Sequence, residues 1–347
     1  MFCRCSGRLP DAARLPLSAF LHSTNVRNIL LKIKYFSNYF DNNLFTIWVL
    51  RTFQEKQILL VCSKKSLSLP YEQKTTSMIN YGLKDRVALI TGANNPQGIG
   101  ATTALAFARE GAKVVLVYKK VFRPFDPAKA DRNGVDRYYQ SNAGDAGAVV
   151  EKLQAMHADY LVLESDISSE ESVRAIYSAV MERYGRIDIL VNNAAVDDEN
   201  GLDTIEQITP SVIDDTFAVN VRGSILMMRE MIRHRGDYGR IINLSTDASQ
   251  IFAGQITYGA SKATLEALTR SIALEVAKYG ITVNCVAPGP TQTGWIDEDL
   301  EKAVLPLIPM GQLVQPDDIA DTILFLASER ARMLTGQVIK VSGGHAL

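Results

Sequence analysis

Two side chains in the stretch "YGASK" have the types and the spacing of an acid–base pair. Tyr258 and Lys262 lie four positions apart, which places both on one face of a helix. A free phenol ionises at a pH of about 10, but an ammonium about 4 Å away, at an effective dielectric near 20, stabilises the phenolate by about 4 kcal/mol. Such a pair can exchange a proton with a bound oxygen near neutral pH. Because the same spacing is common on helix surfaces, the pair needs support from the rest of the sequence.

That support comes from a glycine cluster far upstream, in "TGANNPQGIG" (91–100). Gly92 ends an apolar run, while Gly98, Ile99 and Gly100 open a segment with helical periodicity. A pyrophosphate needs a tight turn, close backbone approach and free N–H groups at a helix N-terminus. Glycines also serve ordinary strand-to-helix turns, but a place after the first strand of the domain favours a phosphate-binding loop.

Seven apolar runs of strand length must position these residues. Several are solid Val, Ile and Leu, as expected for strands buried on both faces, and amphipathic segments with helical period separate them. The alternation predicts an α/β fold: a single Rossmann-type doubly wound parallel sheet of about seven strands with helices on both faces. The predicted strands are RVALIT (86–91), KVVLVY (113–118), DYLVLE (159–164), IDILVN (187–192), RIINLS (240–245), ITVNCV (281–286) and GQVIKV (336–341).

Charge indicates a boundary near residue 78. Residues 1–77 carry 11 Lys/Arg against 4 Asp/Glu, and the remainder carries 26 against 34, although the net charge of the whole chain is only −1. We therefore expect an N-terminal extension over 1–77, disordered or outside the fold, and one catalytic domain over 78–347. The mildly acidic domain lacks the basic face that a nucleic-acid partner requires.

The extension leaves two interpretations open. Its first residues are Arg-rich and poor in acids, which is typical of a mitochondrial leader and would place the protein in the matrix. The other interpretation, which we favour, is an incidental tail before an internal start at Met78, with a cytoplasmic protein. The apolar runs are too short to cross a bilayer, so we expect no membrane partner. Four scattered cysteines and four scattered histidines predict neither disulfides nor a metal site.

Several motifs in order along the chain resemble those of the short-chain dehydrogenase/reductase family. They are "TGANNPQGIG", "VNNAA", "FAVN", "YGASK" and "VNCVAPGPTQTG", and the resemblance covers about residues 84–344. It implies hydride transfer between a nicotinamide cofactor and a carbonyl or alcohol. Two departures stand out: the glycine loop is two residues longer than the family's usual TGxxxGxG, and Ala195 replaces the usual glycine after "NNA".

The resemblance also implies a set of catalytic residues. Tyr258 protonates the substrate oxygen in reduction, Lys262 activates it and holds the nicotinamide ribose, and Asn220 holds a water that links the lysine to solvent. A hydroxyl polarises the carbonyl. Ser245, thirteen residues before Tyr258, is favoured for this role, while Thr246 and Ser249 stay open as alternatives.

The residues at the end of the second strand predict which nicotinamide cofactor is bound, NADP(H) or NAD(H). An acid there would bond the adenosine ribose, but this chain has Tyr118 followed by Lys119, which favours NADP(H) over NAD(H). The remaining cofactor contacts implied by the resemblance are Asp166 and Ile167 at the adenine, Asn193 and Ala194 beside the cofactor, Pro288 and Gly289 at the carboxamide, and Thr293 at the phosphates.

Within the family the sequence most resembles 3-oxoacyl-acyl-carrier-protein reductases. That likeness implies a small-molecule carbonyl or alcohol substrate, linked to a carrier protein or to CoA. A sugar, polyol or other small-alcohol dehydrogenase is the alternative within the family, and a non-catalytic NADP-sensing module is the alternative from another class. Family resemblance further implies a homotetramer or homodimer.

Overall fold

The computed structural model describes residues 45–51, 58–64, 80–196, 203–247 and 249–346. The chain divides into two units at the Ser77/Met78 boundary. In the first unit, β1 (Phe45–Arg51) pairs antiparallel with β2 (Ile58–Lys64). The Arg-rich opening of the predicted extension and the predicted start at Met78 lie outside the described residues.

The second unit contains the predicted seven-stranded parallel sheet, which confirms the fold class. Its strand order is β5-β4-β3-β6-β7-β8-β9, and every neighbouring pair is parallel. Each predicted run forms a strand, with ends that differ by no more than two residues. The strands are β3 (Val87–Thr91), β4 (Lys113–Tyr118), β5 (Tyr160–Glu164), β6 (Ile189–Asn192), β7 (Gly239–Leu244), β8 (Ile281–Pro288) and β9 (Val338–Val341).

Helices connect these strands, and one short π-helical turn over Ala218–Gly223 interrupts them. The helices are α1 (Ile99–Arg109), α2 (Val135–Ala143), α3 (Gly147–Ala155), α4 (Glu170–Tyr184), α5 (Pro210–Phe217), α6 (Ser224–Arg233), α7 (Ile256–Val276), α8 (Glu298–Val304) and α9 (Pro316–Ala327). Local sequence sets their ends: the Ser169 hydroxyl accepts from the Ser172 N–H at the start of α4, and Gly185 ends it in a left-handed conformation at φ 67°.

Two hydrophobic cores lie on opposite faces of the sheet because successive side chains of a strand alternate. On β3, Ala88 and Ile90 pack with residues of α1, α3 and α9. Val87 and Leu89 pack with residues of α4, α6 and α7 on the other face. Both faces of the sheet are therefore covered, which explains the solid apolar strands.

In a parallel sheet the carboxyl ends of all strands meet at one edge, where ligands of doubly wound folds bind. Thr91, Tyr118, Asn192, Leu244 and Pro288 are the last residues of β3, β4, β6, β7 and β8. Every predicted site residue follows the carboxyl end of a strand, including β5 for Asp166 and Ile167, or lies in a helical segment beside these ends. Among the helices within the described ranges, none is both long and apolar enough to cross a membrane.

Candidate active site

A cleft of about 820 Å³ opens beyond the carboxyl ends of the strands. This volume lies within the range of small-molecule and cofactor sites. Gly100 and Asn220, although predicted site residues, do not line the cleft. The predicted residues that line it are Gly92, Gly98, Ile99, Lys119, Asp166, Ile167, Asn193, Ala194, Ser245, Tyr258, Lys262, Pro288, Gly289 and Thr293.

The glycine loop is tightly packed where its first and third glycines lie. Gly92 has φ 68°, which favours glycine, and a Cβ added there would lie 2.8 Å from the Ala194 Cα. A Cβ added at Gly100 would lie 2.5 Å from the Asn193 Nδ2. Gly98 begins α1, and no side chain of the described residues caps this helix. The first N–H groups of α1 are therefore left for an anionic ligand.

Asn193 and Thr91 hold this loop in place from below. The Asn193 Nδ2 donates to the carbonyl oxygens of Thr91 and Gly92, at 2.9 Å each. In return the Thr91 hydroxyl accepts from the backbone N–H groups of Asn193 and Ala194, at 3.0 Å each. Asn193 thus acts on the loop itself as well as lining the cleft.

The lengthened part of the loop, Asn94 to Gln97, forms what we call the lip. Asn94 and Asn95 are buried, and the lip closes on itself because the Asn95 Oδ1 accepts from the Gln97 N–H at 3.0 Å. The Asn95 Nδ2 donates to the Thr293 carbonyl at 3.2 Å, across the cleft. The additional length is therefore ordered by hydrogen bonds.

At the predicted adenosine end, Lys119 is paired with Asp166. Their Nζ and Oδ2 atoms are 2.6 Å apart, and the Lys119 side chain is 58% exposed. Burial opposes ionisation of Asp166, but hydrogen bonds from Lys119 and Ser168 outweigh it, so the pKa of Asp166 lies below its usual value. Lys120 makes a separate pair with Glu164 at 3.3 Å.

Tyr258 and Lys262 lie in the first turns of α7, on the cleft wall. The Lys262 Nζ lies 5.5 Å from the centroid of the Tyr258 ring and donates to the Leu244 carbonyl at 2.8 Å. Lys262 is only 2% exposed. The buried ammonium is therefore placed beside a half-buried phenol on the wall of the cleft.

The N-terminus of α7 is fixed by a residue that sequence reasoning did not identify. The buried Asp203 carboxylate accepts from the Tyr258 N–H at 3.0 Å and from both the N–H and the hydroxyl of Thr257. These bonds satisfy helix N–H groups that otherwise lack partners. Asp203 therefore positions the backbone that carries Tyr258.

Two of the three hydroxyls that follow β7 share one acceptor. The Ser245 Oγ donates to the Glu266 Oε1 at 2.8 Å, and the Ser249 Oγ donates to the same oxygen at 2.5 Å. Glu266 lies one helical turn beyond Lys262, a spacing that could have indicated its presence on the same face. Thr246 lines the cleft between the two serines.

Asn220 lies in the π-helical turn, a feature that is frequent at functional sites. Its amide pairs with both backbone groups of Val196, at 2.8 and 2.9 Å, and its Nδ2 also donates to the Ser261 Oγ at 2.9 Å. Ser261 donates onward to the Tyr258 carbonyl at 2.7 Å. Asn220 is thus joined to α7 between Tyr258 and Lys262.

The turn after β8 packs closely on the C-terminus of the chain. A Cβ added at Gly289 would lie 2.7 Å from the Ser342 Cα and 3.1 Å from the Asp247 Oδ2. Asp247, which follows Thr246, pairs with the Nδ1 of His345 at 2.7 Å. These long-range partners carry no local sequence signal, because 98 residues separate the two side chains.

Cys285, the buried cysteine of β8, is not a candidate nucleophile. Burial raises the pKa of its thiol to about 12, and the Glu266 carboxylate adds to the increase. Among the described residues, no group of three or more His, Cys, Asp or Glu could hold a metal ion.

The fold and the cleft together define a doubly wound α/β protein in which a glycine loop at a helix N-terminus, Tyr258 and Lys262 line one cleft. Comparisons with known proteins agree with this class. A family model described as enoyl-(acyl carrier protein) reductase matches residues 128–346. The subunit BbsD of a (2S)-[(R)-hydroxy(phenyl)methyl]succinyl-CoA dehydrogenase from Thauera aromatica is 36% identical over 271 residues, covering 77% of this chain and 98% of the relative.

The 3-oxoacyl-[acyl-carrier-protein] reductase FabG of Staphylococcus aureus is 34% identical over 265 residues, covering 74% of this chain and 96% of the relative. A solved short-chain dehydrogenase/reductase variant of Serratia marcescens is 27% identical with a TM-score of 0.64, covering 76% of this chain and 99% of the other. The chain belongs to the short-chain dehydrogenase/reductase family. It is therefore an oxidoreductase that acts on CH–OH or C=O groups with a nicotinamide cofactor.

Proposed function

We propose that the protein is an NADP(H)-dependent reductase of 3-oxoacyl thioesters, or the dehydrogenase of the matching secondary alcohols, with Tyr258 as the acid–base group. The observation that carries this proposal is the shared cleft: Tyr258 and Lys262 line the same cavity as Gly92 and Gly98. A proton donor and a phosphate-binding loop in one cavity are what hydride transfer to a carbonyl requires.

The residues present fit a dinucleotide. The N-terminus of α1, which has no side-chain cap, opens on the cleft. The close packing at Gly92 leaves no room for a side chain, so the loop presents backbone groups to a ligand. The groups proposed to hold the cofactor are Gly92, Gly98, Ile99, Lys119, Asp166, Ile167, Asn193, Ala194, Pro288, Gly289 and Thr293, with Gly100 packing beneath the loop. The nicotinamide supplies or accepts the hydride.

In the proposed reduction, Tyr258 donates its phenolic proton to the oxygen of the substrate carbonyl. The buried Lys262 ammonium stabilises the phenolate left behind, because water that would screen the charge is largely excluded. Asn220 holds α7 from the side through Ser261. In the direction of alcohol oxidation the same phenolate accepts the proton from the substrate hydroxyl.

We propose that Ser245 polarises the carbonyl, with Thr246 as the alternative; both residues line the cleft. Polarisation requires a hydroxyl to donate its single proton to the carbonyl oxygen. The Ser245 Oγ donates to the Glu266 Oε1, so its proton must turn from that carboxylate to the substrate. We expect Ser245→Ala to lose kcat by about 10²-fold. Full activity of Ser245→Ala would transfer the role to Thr246.

The preference for NADP(H) rests on Lys119. No carboxylate ends β4, and the exposed Lys119 ammonium can turn from Asp166 to a 2′-phosphate. The thioester class is supported by the printed names of two relatives, one a carrier-protein-linked 3-oxoacyl reductase and the other a CoA-linked dehydrogenase. We further propose a homodimer or homotetramer in the cytoplasm.

Activity of the full chain with NADPH tests the proposal. Acetoacetyl-CoA should be reduced with a higher kcat/KM than sugars, polyols or simple ketones, and Tyr258→Phe should abolish turnover. Preference for a sugar or polyol would replace the thioester by the alternative substrate class. Tight NADPH binding without turnover across the panel would favour the sensing module.

A further inference from the structure

Two features at the rim of the cleft meet at one place in the structure. The first is the lip, Asn94 to Gln97. The second is the long connection from β4 to α3, which contains α2 and has no residue of α2 fully buried in either sheet core. Neither feature is used by the proposed chemistry.

The lip and the connection are joined by hydrogen bonds. The Asn94 Nδ2 donates to the carbonyl oxygens of Asn142 and Gly144, at 3.2 and 3.0 Å. The Arg137 Nε donates to the Gln97 Oε1 at 2.5 Å, and its Nη1 donates to the Asp131 carbonyl at 3.0 Å. The glycine loop is thereby fastened to α2.

The connection is also joined to the segment that follows β8. The Gly134 N–H donates to the Gly294 carbonyl at 2.8 Å. The rings of Tyr138 and Trp295 meet edge to face, with centroids 5.8 Å apart. The lip reaches the same segment directly through Asn95 and Thr293.

The segment after β8, residues 293–313, has a small hydrophobic cluster of its own. Ile296, Ile308 and Leu313 form a hydrophobic cluster separate from both sheet cores, and Trp295 packs against it. Thr293, at the start of this segment, and Tyr138 both line the cleft. A shift of the lip can therefore displace this segment without repacking the sheet.

We propose that the lip, α2 and residues 293–295 form one junction, through which a dinucleotide bound at the glycine loop sets the position of Trp295 and of the segment it anchors. This inference rests on the proposed function, since it requires a nicotinamide dinucleotide in the cleft. Arg137 and Gln97 are positioning residues: they hold the lip before the cofactor arrives, so that binding does not have to order it.

The fluorescence of Trp295 reports the junction directly. The chain has two tryptophans, so Trp48→Phe leaves Trp295 as the single emitter. In that background we would titrate the full chain with NADP⁺, which does not itself fluoresce, and measure affinity separately by calorimetry. Binding should change the Trp295 emission with the same midpoint as the heat.

Arg137→Ala and Gln97→Ala should each weaken NADP⁺ binding about tenfold, the loss expected for one hydrogen bond to a charged group. The double variant should be no weaker than either single variant, and the Trp295 response should disappear in all three. Arg132→Ala, an exposed arginine of the same connection, is the matched control and should behave as the parent.

Two results would overturn the inference: affinities of Arg137→Ala and Gln97→Ala equal to that of Arg132→Ala, or weakened binding with the Trp295 response intact. Two variants on different elements guard against misfolding of one, and thermal melts identify such a case. If the parent chain binds neither NADP⁺ nor NAD⁺, the proposed function fails and the inference fails with it. Binding by the parent separates the two questions.

Discussion

Replacing Lys119 by alanine should remove the proposed preference for NADPH over NADH. Lys119 is 58% exposed, so its attraction to a 2′-phosphate about 4 Å away is about 1 kcal/mol per unit of phosphate charge, or about 2 kcal/mol for a dianion. Leaving Asp166 costs at most about 1 kcal/mol, the usual value of an exposed ion pair. The net gain of about 1–2 kcal/mol corresponds to roughly tenfold in kcat/KM.

Steady-state kinetics with both cofactors measure this directly. In Lys119→Ala, kcat/KM for NADPH should fall about tenfold while that for NADH stays unchanged. Lys120→Ala is the matched control, because Lys120 is the adjacent cation and pairs with Glu164 instead. An equal fall for both cofactors, or an equal effect of Lys120→Ala, would refute the reasoning.

Three further predictions concern the loop, the helix and the buried thiol. Gly100→Ala places a Cβ 2.5 Å from the Asn193 Nδ2 and should lower the free energy of unfolding by about 1–3 kcal/mol in denaturant melts. Gly236→Ala, with open space around its Cβ, should leave the free energy of unfolding unchanged, and equal melts for the two variants would contradict the packing argument. Asp203→Ala removes the cap of α7 and should cost about 0.5–2 kcal/mol and reduce kcat more than KM, whereas Asp203→Asn should recover part of both; unchanged kcat would exclude a positioning role. Burial raises the pKa of Cys285 to about 12, so mass spectrometry should find it unalkylated in the native protein near neutral pH and alkylated after unfolding, and native labelling would contradict the burial.

The sheet was predictable because its signal is local. Strands buried on both faces must be continuously apolar, and "VALIT", "KVVLVY" and "ITVNCV" leave no alternative of similar length. The elements of the cleft also follow from motif order, since the carboxyl ends of parallel strands converge. Helix α2 was not predicted: it is polar on average and none of its residues is buried, so neither sheet core requires it.

Hydrogen-bond partners that lie far apart in the sequence could not be predicted from it. Ser245 and Thr246 are adjacent hydroxyls after the same strand, and the sequence does not show what either contacts. Glu266, 21 residues further along the chain, accepts a hydrogen bond from the Ser245 hydroxyl. The roles of Asp203 and His345 likewise depend on contacts that only the folded chain creates.

The central claim is that the Lys262 ammonium makes Tyr258 a proton donor and acceptor near neutrality. The Lys262 Nζ lies 5.5 Å from the centroid of the Tyr258 ring, and two unit charges about 5 Å apart at an effective dielectric of about 20 interact by about 3 kcal/mol, or about 10²-fold in rate. The most direct test is the pH dependence of kcat/KM for oxidation of 3-hydroxybutyryl-CoA by the wild-type chain and by Lys262→Met. We predict a loss of about 10²-fold and an acidic limb displaced to higher pH in Lys262→Met, because the phenolate must be present to accept the substrate proton; an undisplaced profile at the wild-type rate would contradict the account.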